Sequence, residues 1–367
     1  MRGTAIKMAA GLATGVLLLS ACGERPTDDN ASEEPSAPLA TASVEPLPEG
    51  QFPDFKACMV SDSGGFDDKS FNQTSRAGLT EVEEALGIQA ATVQSNADSE
   101  YPGNLRRLIN EGCNQITTVG FKLGEATEAA AAANPDIDFA IVDFAYENPA
   151  ENLKGLVFDT ASPSYLAGYL AASQSEGVVG TFGGAKIPTV TSFMDGFVQG
   201  VERYNEDNDA DVQVLGWDRE SQEGSFTDDF ENKSKGASIA NTLIQQGADV
   251  IFPVAGPAGL GGLQAAQSND VYAIWVDTDG CVSAAEFCDI LLTSVEKGLD
   301  LAVRNAIADS NTGEFSNELY AGTLANGGVG LAPYNQFEDV IDQEIKDKIE
   351  QMKSDFISGE LTLESAG

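Results

Sequence analysis

The chain has 367 residues, of which 58 are acidic and 20 basic, for a net charge of −38. Such a charge repels nucleic acid and phosphate groups, so we expect no nucleic-acid partner. The sequence contains no histidine and no GxSxG, HExxH or GxxxxGK[ST] motif, which disfavours hydrolases and nucleotide-hydrolysing enzymes. Adaptation to salty surroundings is an alternative explanation of the acidity.

Residues 1–21 predict an export signal. Arg2 and Lys7 form a basic start, and the apolar core "MAAGLATGVLLLSA" is short for a transmembrane span. The segment "LLSAC" resembles a bacterial lipobox, in which the cysteine is lipidated and becomes the mature N-terminus. We therefore predict a lipid anchor at Cys22 that holds the protein on the extracytoplasmic face of a membrane. Ordinary cleavage that frees the protein is the alternative.

Residues 22–52 predict a disordered tether, because after the cysteine they are rich in Pro, Ser, Ala, Thr and acidic residues and contain almost no large apolar ones. Loss of the signal leaves 18 basic against 58 acidic residues, a net charge of −40. The remaining chain, about 315 residues, is long for one compact domain and favours two lobes of roughly 150 residues each.

Strand-length apolar runs then alternate with helical patterns. The first set contains "KACMVSD", "QAATVQS", "QITTVG", "FAIVDF" and "LKGLVFD", with helices predicted near 74–86, 103–112 and 123–133. The second set contains "GVVGTFGG", "DVQVLGW", "DVIFPVAG" and "YAIWVDTD", with helices near 190–205, 234–247 and 258–268. This alternation predicts an α/β fold with a parallel sheet in each lobe. Ligands bind such sheets beyond the carboxyl ends of the strands, so the loops there are candidate site segments.

Four cysteines remain after Cys22, and they allow three pairings. Export favours disulfides. The close spacing of Cys281 and Cys288 favours one bond, and Cys58 would then pair with Cys113 if their strands are neighbours. A zinc site is disfavoured because CxxC pairs and histidine are both absent from the sequence, so we expect no metal.

Four motifs in order carry a family resemblance. They are "SDSGGFDDKSFNQTSRAGL" (61–79), "GTFGGAKIPTVTSFMDGFVQGV" (180–201), "GADVIFPVAGPAGLGGLQAA" (247–266), and "VDTD" followed by "LLTSVEKGLDLAV" (291–303). In these motifs the chain resembles the basic membrane protein family, the PnrA-like nucleoside-binding lipoproteins. The resemblance implies a type I periplasmic-binding-protein fold with two Rossmann-like lobes joined by three crossovers. It also implies a monomer without enzymatic activity or cofactor, which delivers purine nucleosides to an ABC permease.

The implied fold divides the chain between two lobes with a ligand cleft between them. Lobe one would contain residues 53–160 and about 294–320, and lobe two residues 161–293 and about 321–367. A binding protein of the same fold for a sugar or another small neutral ligand, in uptake or sensing, is the alternative function.

The first motif contains three candidates for binding the base, of which the resemblance assigns Asp62 and Phe71. Asp62 would accept hydrogen bonds from N–H groups of the base, Phe71 would stack on it, and Asn72 would offer a donor and an acceptor. In the alternative interpretation, Asp67 and Asp68 cap the following helix and Phe71 belongs to the core.

The second ring of the family pattern corresponds to Phe226 in "EGSFTDDF". Two rings on opposite lobes can sandwich a purine, each stack contributing about 1–3 kcal/mol. The segment "TDDFENKSKG" is longer than the usual family connection, which makes Phe230 a second candidate for the same role.

The resemblance assigns the sugar to Asp277 and Lys297 and adds Asp143 as a further binding position, and the helix start after "DVIFPV" adds Gly256. Backbone N–H groups at Gly256 would bind ribose oxygens, although tight packing of strand and helix explains these glycines equally well. Asp277 would accept both ribose hydroxyls, and Lys297, in a helix predicted over "TSVEKG", would reach them. Because these aspartates repel phosphate, the cleft should favour nucleosides over nucleotides.

Overall fold

A computed structural model describes residues 46–364 of the chain. The predicted export signal, Cys22 and most of the predicted tether lie outside the described residues, as do residues 365–367. None of the helices between residues 46 and 364 is long and apolar enough to cross a membrane.

The strands follow one another along the described chain in short, mostly buried segments. They are β1 (Lys56–Ser61), β2 (Gln89–Gln94), β3 (Gln115–Val119), β4 (Asp138–Val142), β5 (Leu153–Phe158), β6 (Val178–Gly183), β7 (Gln213–Leu215), β8 (Trp217–Asp218), β9 (Glu223–Gly224), β10 (Val250–Val254), β11 (Tyr272–Asp277), β12 (Leu291–Lys297), β13 (Tyr320–Gly322) and β14 (Val329–Leu331).

Helices separate most of these strands. They are α1 (Phe71–Leu86), α2 (Tyr101–Asn110), α3 (Gly124–Ala133), α4 (Ala161–Gln174), α5 (Pro188–Asn208), α6 (Lys233–Gln245), α7 (Gly256–Ser268), α8 (Gly280–Ser283), α9 (Leu299–Thr312) and α10 (Gln343–Ser358). The helices predicted from periodicity correspond to α1, α2, α3, α5, α6 and α7, with ends that differ by a few residues.

Two six-stranded sheets organise residues 46–364. The first has the order β13-β5-β4-β3-β1-β2, with every pair parallel. The second has the order β14-β12-β11-β10-β6-β7 and is parallel except for the antiparallel strand β14. We call the first sheet with its helices lobe one and the second sheet with its helices lobe two. The predicted α/β fold with a parallel sheet in each lobe is confirmed.

The cores lie on both faces of each sheet. Helices α1 and α9 cover one face of the first sheet, and α2 and α3 cover the other. In lobe two, α4, α5 and α10 cover one face, and α6 and α7 the other. Central strands such as β4 and β10 are therefore buried almost throughout and, apart from Asp138 at the start of β4, are apolar, as expected for parallel strands covered on both sides.

The chain crosses between the described lobes at three places, after β5, after β12 and after β13. Asp159 donates its backbone N–H to the oxygen of Gly322 at 2.8 Å, and Gly298 donates to Gly328 at 2.9 Å. These hydrogen bonds hold the crossing segments side by side. The lobe boundary predicted near residue 294 falls inside β12.

The helix predicted over "TSVEKG" is wrong. Residues Leu291–Lys297 form strand β12, which pairs with β11 and β14, and the helix α9 begins only at Leu299. The strand is buried on both faces and contains the β-branched residues Thr293 and Val295, which favour extended backbone. Lys297 therefore lies at the carboxyl end of a strand.

Two disulfides join the cysteines of the described chain. Cys58 of β1 bonds Cys113, which precedes the neighbouring strand β3, with 6.0 Å between their Cα atoms. Cys281 bonds Cys288 across a short loop after β11, with a Cα separation of 4.6 Å. The first bond lies within lobe one and the second within lobe two.

Candidate functional site

A cavity lies between the lobes, where the carboxyl ends of the strands from both sheets converge. Segments that follow β1, β3, β4, β10, β11 and β12 contribute to its wall. Among the residues predicted from the sequence, those that line the cavity are Asp62, Phe71, Asn72, Asp143, Gly256, Asp277 and Lys297. The structure therefore brings together side chains that are up to 235 positions apart in the sequence.

Asp62 and Asn72 form one polar group in the cavity wall. The Nδ2 atom of Asn72 donates to Oδ1 of Asp62 at 3.0 Å, while Oδ1 of Asn72 is buried without a hydrogen-bond partner. Burial raises the pKa of Asp62 to about 8, the hydrogen bond from Asn72 opposes the shift, and the nearby Asp68 and Asp143 add to it. Near neutral pH the Asp62 carboxyl is therefore largely protonated and can donate a hydrogen bond as well as accept one.

Asp68 shapes the start of α1. Its buried carboxylate accepts the backbone N–H groups of Ser70 at 3.1 Å, Asn72 at 2.8 Å and Gln73 at 2.9 Å. These are donors that a helix start leaves without intrahelical partners, so the capping interpretation holds for Asp68. Asp67 is exposed. The cap fixes the first turn of α1, which carries Phe71 and Asn72 into the cavity wall.

Lys297 lies between two aspartates in the second polar group. Its Nζ atom is 2.8 Å from Oδ2 of Asp143 and 3.7 Å from Oδ1 of Asp277, and only 4% of the lysine is exposed. Burial raises the pKa of Asp277 to about 6, although the positive charge of Lys297 opposes that shift. The ammonium group also lies 4.7 Å from the centre of the Phe71 ring, within the range of a cation–π interaction.

Asp143 and Asp277 occupy equivalent positions in the two lobes. Asp143 follows β4 and Asp277 ends β11, and these strands have the same place in the order of their sheets. Both residues have a φ of 68°, in the left-handed region that is uncommon for residues other than glycine. Backbone held in this region is concentrated at ligand sites. Each lobe thus presents one strained aspartate to the same lysine.

Aromatic rings complete the cavity wall. Phe71 comes from α1 of lobe one, and Phe193 of α5 and Phe230 come from lobe two. Gly256 begins α7 with a φ of 51°, which glycine adopts without strain, and atoms of Phe230 lie within van der Waals distance of its Cβ position. The cavity thus has aromatic surfaces from both lobes, together with the two polar groups.

The structure places Phe226 outside the cavity wall. Its ring packs edge-on against Trp217 at 5.9 Å between centroids, and its backbone forms a bridge with Gly183. Phe230, four residues later in the longer connection, lines the cavity instead, and its backbone oxygen accepts the N–H of Ala258 at 2.8 Å. From this segment it is therefore Phe230, the second candidate, whose ring faces the cavity, and not Phe226.

Several cavity residues were missed by sequence reasoning. Phe121 and Lys122 follow β3, and the strand-end argument applied to "QITTVGFK" would have found them. Val190 and Phe193 lie on the first turns of α5, within the motif at 180–201, but an apolar helix position gives no sign that it faces a cavity.

Direct hydrogen bonds close the two lobes around the cavity. The Ser70 hydroxyl donates to Oδ2 of Asp277 at 2.9 Å, and the indole N–H of Trp275 donates to the backbone oxygen of Lys69 at 3.2 Å. Within residues 46–364, no group of three or more acidic or cysteine side chains is arranged to hold a metal ion.

Comparison with known proteins identifies the family. Residues 55–362 match the family of ABC transporter substrate-binding proteins described as PnrA-like. The chain is 30% identical to the ABC transporter nucleoside-binding protein BmpA of Lactococcus lactis subsp. cremoris, over 85% of this chain and 90% of that protein. It is also 30% identical to Basic membrane protein A of Borreliella burgdorferi, over 84% and 88% of the two chains.

Solved structures agree on the fold. An ABC transporter solute-binding protein from Aeropyrum pernix K1 superposes with a TM-score of 0.76 at 24% identity, over 84% of this chain and 92% of that one. A solute-binding protein from Conexibacter woesei gives a TM-score of 0.66 at 23% identity, over 84% and 98%. The predicted type I periplasmic-binding-protein fold is confirmed. The chain belongs to the PnrA-like family of ABC transporter substrate-binding proteins.

Proposed function

We propose that the protein captures purine nucleosides between its lobes and delivers them to an ABC permease. The observation that carries this proposal is the combination of Phe71 and Phe230, from different lobes, with two polar groups in one cavity. A purine offers two faces for stacking, and its ribose offers hydroxyl groups. One ligand would thus use both kinds of surface.

The polar group of Asp62 and Asn72 is suited to the edge of a purine base. The amide oxygen of Asn72 is a buried acceptor without a partner, and a ring or exocyclic N–H of a base would satisfy it. Asp62 can donate to a carbonyl or ring nitrogen while protonated, and accept an N–H once ionised. These properties support recognition of a base.

The group formed by Asp143, Lys297 and Asp277 is suited to ribose. The two carboxylates can accept hydrogen bonds from ribose hydroxyls, and the ammonium group can donate hydrogen bonds to the oxygens of those hydroxyls. A phosphate placed among these carboxylates would be repelled at close range in a poorly solvated cavity. The proposed ligand is accordingly a neutral nucleoside.

The membership of the family implies a permease partner and a small-molecule ligand. We propose in addition that Cys22 carries a lipid anchor, that residues 22–52 form a tether, and that the monomeric binding lobes act on the extracytoplasmic face of the membrane. We propose the lobe boundaries predicted from the sequence on the same basis, with the second crossing moved to the end of β12.

A thermal-shift screen of a fragment from about residue 50 onward, compared with the full chain without its lipid, tests the ligand class. The panel contains purine nucleosides, free bases, ribose and nucleotides. A ligand at a hundredfold its dissociation constant stabilises the fold by about 2.7 kcal/mol, which gives a clear rise in melting temperature. We expect a rise with purine nucleosides alone. No rise with any nucleoside would overturn the proposal.

A sugar is the second candidate ligand, because the group around Lys297 could bind hydroxyls without any base. Variants F71A and F230A decide between the two. For a nucleoside, loss of one stack should weaken binding about 5- to 150-fold, whereas sugar affinity should change little. F226A is the control, since its ring packs on Trp217 and its loss should affect stability more than affinity.

A further inference from the structure

We propose that Glu231 controls the rate of ligand release by joining the lobes outside the ligand cavity. This inference rests on the proposed function only for the choice of a nucleoside as the probe. The contact between the lobes on which it is based does not depend on the identity of the ligand. The Oε1 atom of Glu231, in lobe two, accepts the backbone N–H of Gly64, in lobe one, at 2.9 Å. We call this hydrogen bond the closure contact.

The segment that carries Glu231 is held firmly on lobe two. The Oδ1 atom of Asp229 accepts the backbone N–H groups of Glu231 at 2.9 Å and of Asn232 at 2.7 Å. The hydroxyl of Thr227 donates to the backbone oxygen of Gly184 at 3.1 Å, and Phe230 accepts from Ala258. Glu231 therefore reaches Gly64 from a fixed backbone, so little backbone freedom is lost when the contact forms.

The closure contact is adjacent to the cavity but not part of its wall. Glu231 is exposed, and both it and Gly64 lie outside the lining. Their neighbours Phe230 and Ser63 do line the cavity. In contrast, the hydrogen bond between Ser70 and Asp277 uses a residue of the proposed ribose site. Glu231 can thus be changed without removing a group that would touch the ligand.

This position separates release from recognition. The closure contact forms only when Gly64 and Glu231 approach each other, so it stabilises the closed state and must break before the ligand leaves. Its loss should raise the dissociation rate and leave the association rate nearly unchanged. Because the acceptor is charged but exposed, we expect dissociation about three- to tenfold faster.

The test compares E231A, E231Q and the matched control D228A in the full chain without its lipid. Asp228 belongs to the same segment and carries the same charge, but its carboxylate pairs with Lys235 of its own lobe. Stopped-flow dissociation of inosine, followed by tryptophan fluorescence, gives the release rate. Trp275 is a suitable reporter because its N–H is bonded across the lobes. E231Q keeps an oxygen acceptor and should recover part of the slow release.

Hydrogen exchange of the Gly64 amide tests the contact without any ligand. We expect exchange about threefold or more faster in E231A than in D228A and wild type. Equal release rates and equal Gly64 exchange in E231A and D228A would overturn the inference. If wild type binds no purine nucleoside, the proposed function fails, and the exchange comparison still decides whether Glu231 joins the lobes.

Discussion

At the scale of single residues, the buried ion group of Lys297, Asp143 and Asp277 has two functions that follow from the same charges. The lysine compensates two carboxylates that have left water, and it fixes their position in the cavity wall. Its ammonium group also faces the rings of Phe71 and Phe193, at 4.7 and 5.6 Å from their centres. Removal of this one charge should therefore affect stability and binding together.

We predict that K297M lowers the free energy of unfolding by about 3 kcal/mol and abolishes nucleoside binding. Breaking a buried ion pair leaves a carboxylate without compensation, which costs about 3–5 kcal/mol, and protonation of Asp277 relieves part of it. Urea unfolding and calorimetric titration measure the two effects. K353M is the control, since Lys353 pairs with Glu350 at an exposed site and should change stability by less than about 1 kcal/mol.

The double variant K297M/D143N should recover part of the stability and none of the binding. If K297M unfolds at the same urea concentration as wild type, the ion group does not stabilise the fold and our description of it fails.

Asp62 predicts a pH dependence of stability. Its pKa is about 8 in the folded state against 3.8 in the unfolded chain, so the folded state holds an extra proton between these values. This contribution is fully present below about pH 4 and is lost as the pH rises through about 8. The groups that act on Asp62 are Asn72, Asp68, Asp143 and Lys122.

The measurement is urea unfolding of wild type and D62N from about pH 5 to about pH 8. Wild type should lose stability relative to D62N by up to about 1.4 kcal/mol per pH unit. Asp277 has a raised pKa of about 6 and lowers stability with rising pH in the same way in both proteins, so its contribution cancels in the difference between wild type and D62N. Parallel pH profiles would show that Asp62 does not titrate in this range.

Sequence reasoning places a single residue correctly where its position along the chain, such as the end of a strand, determines which part of the fold it faces. Asp143 and Asp277 could be placed at the cleft because each ends a strand, and Lys297 followed from family resemblance even though its helix was wrong. The choice between Phe226 and Phe230 depends on how the connection folds back onto β6, and the alternation of apolar residues contains no information about that.

At the scale of elements, helices α4 and α5 pack closely because glycines line their contact. A Cβ atom at Gly168 would overlap the backbone oxygen of Phe197, and at Gly200 that of Tyr165. The two helices can approach this closely only while these side chains are absent. Since α5 carries Phe193 and Val190 at its start, its packing also determines one wall of the cavity.

We predict that G200A lowers the free energy of unfolding by about 1–3 kcal/mol, because the added methyl group must push the helices apart. G103A is the control. Gly103 is in helix α2, has open space around its Cβ position, and should gain about 0.5–1 kcal/mol on substitution. Urea unfolding should show a lower free energy of unfolding for G200A and a higher one for G103A. An unchanged free energy of unfolding in G200A would contradict the packing argument.

Helix α4, which was not predicted, and strand β12, which was predicted as a helix, share a physical cause. Helix α4 is buried on nearly all sides, so the sequence "SPSYLAGYLAASQ" lacks the polar face that produces a helical period. Strand β12 is buried on both faces and lacks the alternation of a half-exposed strand. Helices α1 and α6, which each have one exposed side, were predicted to within a few residues, whereas α10 was not predicted although it also has an exposed side.

At the scale of the whole molecule, the excess of acidic residues opposes compactness. With 58 acidic and 20 basic residues, most carboxylates have no cationic partner available, and their mutual repulsion is stronger in the folded state than in the expanded unfolded chain. Exposed ion pairs such as Arg107–Glu111 and Lys186–Glu223 act in the opposite direction, but each contributes little.

We therefore predict that sodium chloride stabilises the protein. At ~1 M salt the Debye length is about 3 Å, which screens the repulsion between surface carboxylates and the attraction within exposed pairs alike. Because the repulsive pairs far outnumber the attractive ones, the net effect should be a higher melting temperature. The buried pair of Lys297 and Asp143 is little exposed to screening. The measurement is calorimetric melting in sodium chloride. Sulfate salts are avoided because they stabilise proteins generally by strengthening the burial of apolar surface. A melting temperature that falls with salt would mean that the exposed ion pairs outweigh the repulsion.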